Sequence, residues 1–284
     1  MYTLQDYITS NEIDEFIIRK NVKSVNKDNI YDYYDEDLDS NPNVFFLFES
    51  IYHDAFSHWI YEGGIFLPFV TQFSDCKILM NKNPSRQYKS AFCKCIGIED
   101  KIEYYDNPLQ HNCTYSYINI PKNNICIICN VSLLISLNDN IQSKNELYLK
   151  RILTLKTYIE EKHHISYKKT IDNLFLPRNK VENYVPNDRI IQYEHIYDIL
   201  KNQEYTTYDT MNTVNFTDQV KLLASAKNIY LDYGSSYWVN SLFCKDSHIY
   251  VSGIIQHQLE HQCFKILYDI ITKSNTITYL TNLP

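Results

Sequence analysis

Asp54, His58 and Glu62 are spaced by four residues, so a helix stacks all three on one face. On such a face an imidazole oriented by a carboxylate can act as a general base toward a hydroxyl. The plainer expectation, a polar helix face with His58 lying over the core, stands beside it. Phe56, Trp59 and Ile60 follow helical spacing, and Gly63-Gly64 supplies a stop. A second set lies further along the chain. Ile229-Tyr230-Leu231 is a short apolar run that reads as a buried strand; Tyr233-Gly234-Ser235-Ser236 follows, then a helical pattern through Trp238, Leu242 and Phe243. A strand leading through a small-residue turn into a helix presents free backbone N–H groups, a place to hold a phosphate. With only 5 Gly in 284 residues, Gly234 marks a position with a conformational reason. Arg178 follows the apolar run Leu174–Leu176, which places a bidentate guanidinium at the carboxyl edge of a strand.

The elements around these residues alternate. Strands are expected at Val44–Phe48, Cys76–Met80, Lys101–Tyr105, Ile125–Val131, Leu174–Leu176, Tyr205–Tyr208, Ile229–Leu231 and His248–Val251. Helices are expected at Asn145–His163 (with Leu147, Ile152, Leu155 and Ile159 on one face), Arg189–Leu200, Thr217–Ala226 and Gln256–Thr272. Asn215 and Thr217 both qualify as caps of the third of these, and Asp218 sits where the helix dipole favours negative charge. This rhythm predicts α/β architecture with mainly parallel sheets. The segment 1–43 is expected to be an approach segment, with a short helix over Asp14–Lys20 and a solvated acidic stretch over Tyr31–Ser40.

From Phe216 to Phe243 the chain resembles the C-terminal signature of the family 61 glycosyltransferases. There a Phe-x-Glu-Gln helix start precedes a strand and a His-Gly-Ala-Gly-x-x-x-Asn turn. Here Phe216-Thr217-Asp218-Gln219 matches the first part with Asp for Glu, Tyr233-Gly234-Ser235-Ser236 stands at His-Gly-Ala-Gly, and Asn240 falls on the motif's Asn. The family's His-Trp-(aliphatic)-x-(Asp/Glu) segment is similar to His58-Trp59-Ile60-Tyr61-Glu62. Its Arg after a strand and its Arg…Asn-Glu helix start are matched by Arg178, Arg189 and Glu194, with Tyr193 at the usual Asn. The likeness covers residues 44–255.

That resemblance implies two Rossmann-like α/β halves in a GT-B arrangement, with the cleft between them. An acceptor-side domain would span 44–144, a connecting helix 145–165, and a nucleotide-sugar-binding domain 166–284. The donor implied is a UDP-sugar, held by Arg178, Arg189, Glu194, Gln219, Tyr233, Gly234, Ser235, Ser236 and Asn240. His58, with Asp54 and Glu62, would serve the hydroxyl of a glycan or glycoprotein acceptor, with no tightly bound cofactor and no required metal. The replacements at Tyr233 and Ser236 leave open a catalytically inactive relative that binds glycans or serves assembly. A nucleotide-binding transferase of another class is a third reading.

Composition narrows the remaining classes. A 44% hydrophobic chain with 14% aromatic residues is globular, and a formal net charge of −7 argues against a general nucleic-acid binder. Abundant Asn, Ile and Lys, with 26 Tyr, suit an AT-rich viral or microbial genome. Met1–Ser24 has no apolar signal region and no apolar run reaches membrane-spanning length. The expectation is a cytoplasmic protein (host cytoplasm if viral) whose 8 cysteines are thiols. His257-Gln258-Leu259-Glu260-His261 matches H-x-x-E-H, yet nothing in the sequence identifies a third ligand. Cys93, Cys95, Cys126 and Cys129 are read as buried hydrophobes rather than a zinc set, because the last two lie inside an apolar strand. No metal site is expected.

Overall fold

The computed structural model describes residues 17–25, 31–39, 43–47, 56–73, 76–81, 86–105, 120, 122–128, 141–177, 196, 199–209, 215–252 and 262–280. The chain divides into two compact units, Met1–Leu155 and Lys156–Pro284. The boundary falls inside helix α4, Ile141–Lys162. On α4 the buried residues are Tyr148, Ile152, Leu155 and Ile159. Tyr148 thus occupies the core position that apolar spacing alone assigns to Leu147.

The first unit carries a sheet in the order β1 (Ile17–Lys20), β7 (Asn124–Ile128), β4 (Asn43–Leu47), β5 (Cys76–Asn81), β6 (Ile102–Tyr105). Strands β4, β5, β6 and β7 pair in parallel. Counted among themselves they run 3-2-1-4, an order found in Rossmann-like sheets. Phe45, Phe46, Ile78, Leu79, Met80, Ile125, Cys126 and Ile127 are all buried. Burial at successive positions means both sheet faces are covered, which explains the unbroken apolar runs. Helices α1 (Phe56–Glu62), α2 (Leu67–Val70) and α3 (Arg86–Ile96) follow β4 and β5.

The approach segment departs from expectation. Ile17–Lys20 is strand β1, paired antiparallel with β7, and β2 (Val22–Val25) pairs with β3 (Tyr31–Tyr33). The β-branched residues Ile17, Ile18, Val22 and Val25 favour strand over helix. Asn124 fixes the segment: its Oδ1 accepts from Val22 N at 3.1 Å and its Nδ2 donates to Val22 O at 2.8 Å. Only the acidic stretch keeps its solvated character, with Asp35, Glu36, Asp37 and Asp39 exposed.

The second unit holds β8 (Ile171–Phe175), β9 (Thr206–Thr207), β10 (Ala226–Asp232), β11 (His248–Ser252) and β12 (Thr276–Leu280). All pairings are parallel, in the order β12-β11-β10-β8-β9. Numbered within the unit this is 2-1-3-4-5, so chain direction across the sheet reverses between β8 and β10. Helices α5 (Phe216–Ser225), α6 (Ser235–Ser241) and α7 (Gln262–Ser274) link the later strands. Phe216 of α5 packs against Phe243, just past the end of α6, and Trp238 of α6 against Phe264 of α7. The other sheet face packs Phe175 and Tyr230 against Ile196 and Leu200. At the amino edge Lys169 Nζ donates to Ala224 O, Ala226 O and Ser247 Oγ at 3.1, 2.8 and 2.7 Å. It thereby satisfies carbonyls at the end of α5.

The chain is therefore an α/β protein with two largely parallel sheets flanked by helices, compatible with a Rossmann-like fold. β12 is an addition to the sequence reading, and the described part of α7 starts at Gln262, the expected start at Gln256 lying outside the described residues. Among the described residues no helix is long and apolar enough to cross a membrane.

Candidate functional site

In an open parallel sheet, ligands bind outside the carboxyl ends of the strands, where the order reverses. In the second unit that place lies between the ends of β8 and β10. β8 ends at Phe175 and is followed by Leu176-Pro177, with Leu176 N donating to Tyr230 O at 3.0 Å. β10 ends in Asp232, and Tyr233-Gly234 carry the chain into α6. Gly234 is the N-cap of α6, with φ 92° and ψ −144°. This backbone region belongs almost wholly to glycine. The sequence-derived turn thus sits at the reversal, and its glycine has a conformational reason.

The turn is held from both sides. On the helical side Gln219 Nε2 donates to Asn240 Oδ1, and Asn240 Nδ2 donates to Ser236 Oγ at 3.4 Å. Asn240 is buried, so its amide needs these partners. Gln219 and Asn240, singled out by the family pattern, meet in space, where they tie α5 to α6 behind the turn. The start of α5 is itself fixed. Asn215 Oδ1 accepts from Asp218 N at 3.2 Å, which decides the cap in favour of Asn215 over Thr217. Tyr208 OH donates to Asn215 O at 2.9 Å. On the strand side the fully buried Asp232 accepts from Ser252 Oγ at 3.2 Å, and Tyr233 N donates to Ser252 O at 3.1 Å. Sequence reasoning missed Asp232 and Ser252. Asp232 carried a signal, being an acid closing an apolar run; Ser252 carried none.

In the first unit α1 places His58 one turn before Glu62. His58 Nδ1 and Glu62 Oε1 are 2.7 Å apart, with side chains 18% and 7% exposed. Nδ1–H donating to the carboxylate leaves Nε2 as the basic nitrogen. Glu62 Oε2 is buried without a hydrogen-bond partner among the described residues. Beneath the dyad Trp59 packs against Phe56 and Phe92, and Lys89, also buried, lies 5.5 Å above its ring. Lys89 is a core cation the sequence reading did not single out.

Asp54, Arg178, Arg189 and Glu194 lie outside the described residues, as do the H-x-x-E-H stretch and Cys129. The two units are separately compact, so the structure brings together Gln219, Tyr233, Gly234, Ser235, Ser236 and Asn240 in one and His58 with Glu62 in the other. Cys93, Cys95 and Cys126 are buried thiols. Burial pushes Cys126 up to about 12 and Cys93 higher still, away from the thiolate a metal requires. Among the described residues no group of His, Cys, Asp or Glu is arranged to hold a metal. No family model and no curated protein matches the chain.

Proposed function

We propose that the chain is a glycosyltransferase of family 61 type in a GT-B-like arrangement, taking a UDP-sugar donor at the β10–α6 turn. The observation that carries this reading is the placement of Gly234, with its φ of 92°, beside the strand-order reversal of the second sheet. Backbone N–H groups at Ser235 and Ser236 and the guanidinium of Arg178, three residues beyond the end of β8 in sequence, would neutralise the leaving diphosphate. In the transfer the acceptor oxygen bonds to the anomeric carbon as the bond from that carbon to the diphosphate oxygen breaks. The hydroxyl proton passes to His58 Nε2, whose imidazolium is stabilised by Glu62.

A thermal-shift screen against UDP, GDP, CMP and their sugar conjugates tests the donor. A ligand at 100 times its dissociation constant adds roughly 2.7 kcal/mol of stability, so UDP and UDP-sugars should raise the melting temperature. No shift with any nucleotide would overturn the reading. Tyr233 and Ser236, where the family has His and Gly, favour a second reading: a non-catalytic glycan-binding or assembly protein. Release of UDP from a UDP-sugar in the presence of glycan acceptors separates the two.

A further inference from the structure

Glycine has the greatest conformational freedom of any residue, so a turn built on Gly234 takes its shape from what clamps its flanks. Downstream, Trp238 N donates to Gly234 O at 3.0 Å and starts α6. Upstream, the clamp belongs to β11. Among the described residues, Asp232 and Ser252 form the last paired position of the β10–β11 ladder. Here Ser252 Oγ donates to Asp232 Oδ1 at 3.2 Å, and Tyr233 N donates to Ser252 O at 3.1 Å. Both residues are buried, Asp232 with no exposed surface and Ser252 at 1%. A carboxylate in that setting must be hydrogen-bonded to be tolerated, which gives its geometry little freedom.

We propose that Asp232 and Ser252 are positioning residues for the ligand site at the β10–α6 turn. The Ser252 hydroxyl locks the end of β10, and its carbonyl aims the Tyr233 amide. Together they set the direction in which Gly234 enters α6. This role rests on the proposed donor site for its consequence in binding, but the clamp itself is independent of any ligand. Neither side chain touches the ligand, so the pair acts through the backbone.

The experiment compares wild type with Ser252→Ala, Ser252→Thr and Asp232→Asn. Amide hydrogen exchange is followed at Tyr233–Ser236 and at Ile229–Leu231, UDP affinity by calorimetry, and melting temperature alongside. Ser252→Ala should speed exchange of the Tyr233 amide by about tenfold, on the order of one lost hydrogen bond, while Ile229–Leu231 keep their protection. UDP affinity should fall by a similar factor. Ser252→Thr, which keeps the hydroxyl, should restore both. Asp232→Asn retains an acceptor oxygen and should lie between, and it carries the test if Ser252→Ala does not fold. Unchanged exchange at Tyr233 in a folded variant overturns the proposal. So does a uniform loss of protection along β10 with UDP affinity intact, the result of a merely structural role. If wild type binds no UDP, the donor assignment fails, and the exchange data alone decide the clamp.

Discussion

Replacing Gly234 by alanine isolates the backbone of the candidate site from everything else. A Cβ built at Gly234 would meet no heavy atom of the described residues within 4 Å, so among them the substitution brings no clash and removes no packing. What remains is the conformation, φ 92° with ψ −144°. A non-glycine residue held there costs about 1–3 kcal/mol. For a unit of this size a melting temperature moves by about 4 °C per kcal/mol, so a loss of about 4–12 °C is expected in the transition of the second unit. Gly234→Asn sharpens the test. Asparagine is tolerated in the left-handed helical region, as at Asn21 and Asn123 with φ of 49° and 54°, but a ψ of −144° lies outside that region. Asparagine should therefore lose as much as alanine. Circular dichroism melts of the three proteins supply the measurement. A Gly234→Asn variant as stable as wild type would refute the reasoning, because the turn would then sit in an ordinary left-handed conformation. The same variants should lose the UDP-induced shift, and full retention in Gly234→Ala would remove the turn from the donor site.

Arg178→Ala should weaken UDP binding by about 1.5–3 kcal/mol, the range of a lost charged hydrogen bond; calorimetry on the folded variant checks it, and unchanged affinity excludes Arg178. His58→Ala should lower turnover by about 10²–10⁴-fold while donor affinity stays near wild type, and Glu62→Gln should lower turnover less; equal loss of donor affinity contradicts an acceptor-side role. Burial pushes Cys126 and Cys244 from 9.0 up to about 12. A thiol whose folded value is raised contributes stability that is complete below pH 9 and lost as pH rises through the folded value. Urea midpoints should therefore fall between about pH 9 and 12 and shift less in Cys244→Ala, while thiol reagents at pH 7.5 should leave both residues unmodified in the folded protein.

The α/β class was legible because the parallel strands are buried on both faces and so read as compact apolar runs, Phe45-Phe46 and Ile125-Cys126-Ile127 among them. What was not legible follows from the same physics. Ile17–Lys20 carries Arg19 and Lys20 beside Ile17 and Ile18, and a four-residue edge strand has too few positions to separate period 2 from period 3.6. Its pairing is decided elsewhere, by Asn124 bonding Val22 from the start of β7. β12 was hidden for a similar reason: Thr276–Leu280 is partly covered rather than buried, because it is an edge strand with a neighbour on one side among the described residues.

The candidate site divides along the same line. Gly234 was found because its requirement is local: a strand end, a turn and a helix start within a few residues impose a backbone that only glycine takes up freely. Gln219 and Asn240 were found through a pattern, and the structure supplies a physical reason for it. A buried amide between two helices must be satisfied on both its donor and acceptor sides, so Asn240 specifies a partner on α5 and a hydroxyl on α6 at once. Side chains in such a brace are constrained together even when neither touches a ligand. Asp232 and Ser252 are constrained just as tightly, yet their pairing depends on the register of two parallel strands. That register joins residues twenty positions apart through a crossover, a pairing that local residue spacing does not encode. The proposed site is therefore readable at its turn and unreadable at β11, the neighbouring strand proposed to aim it.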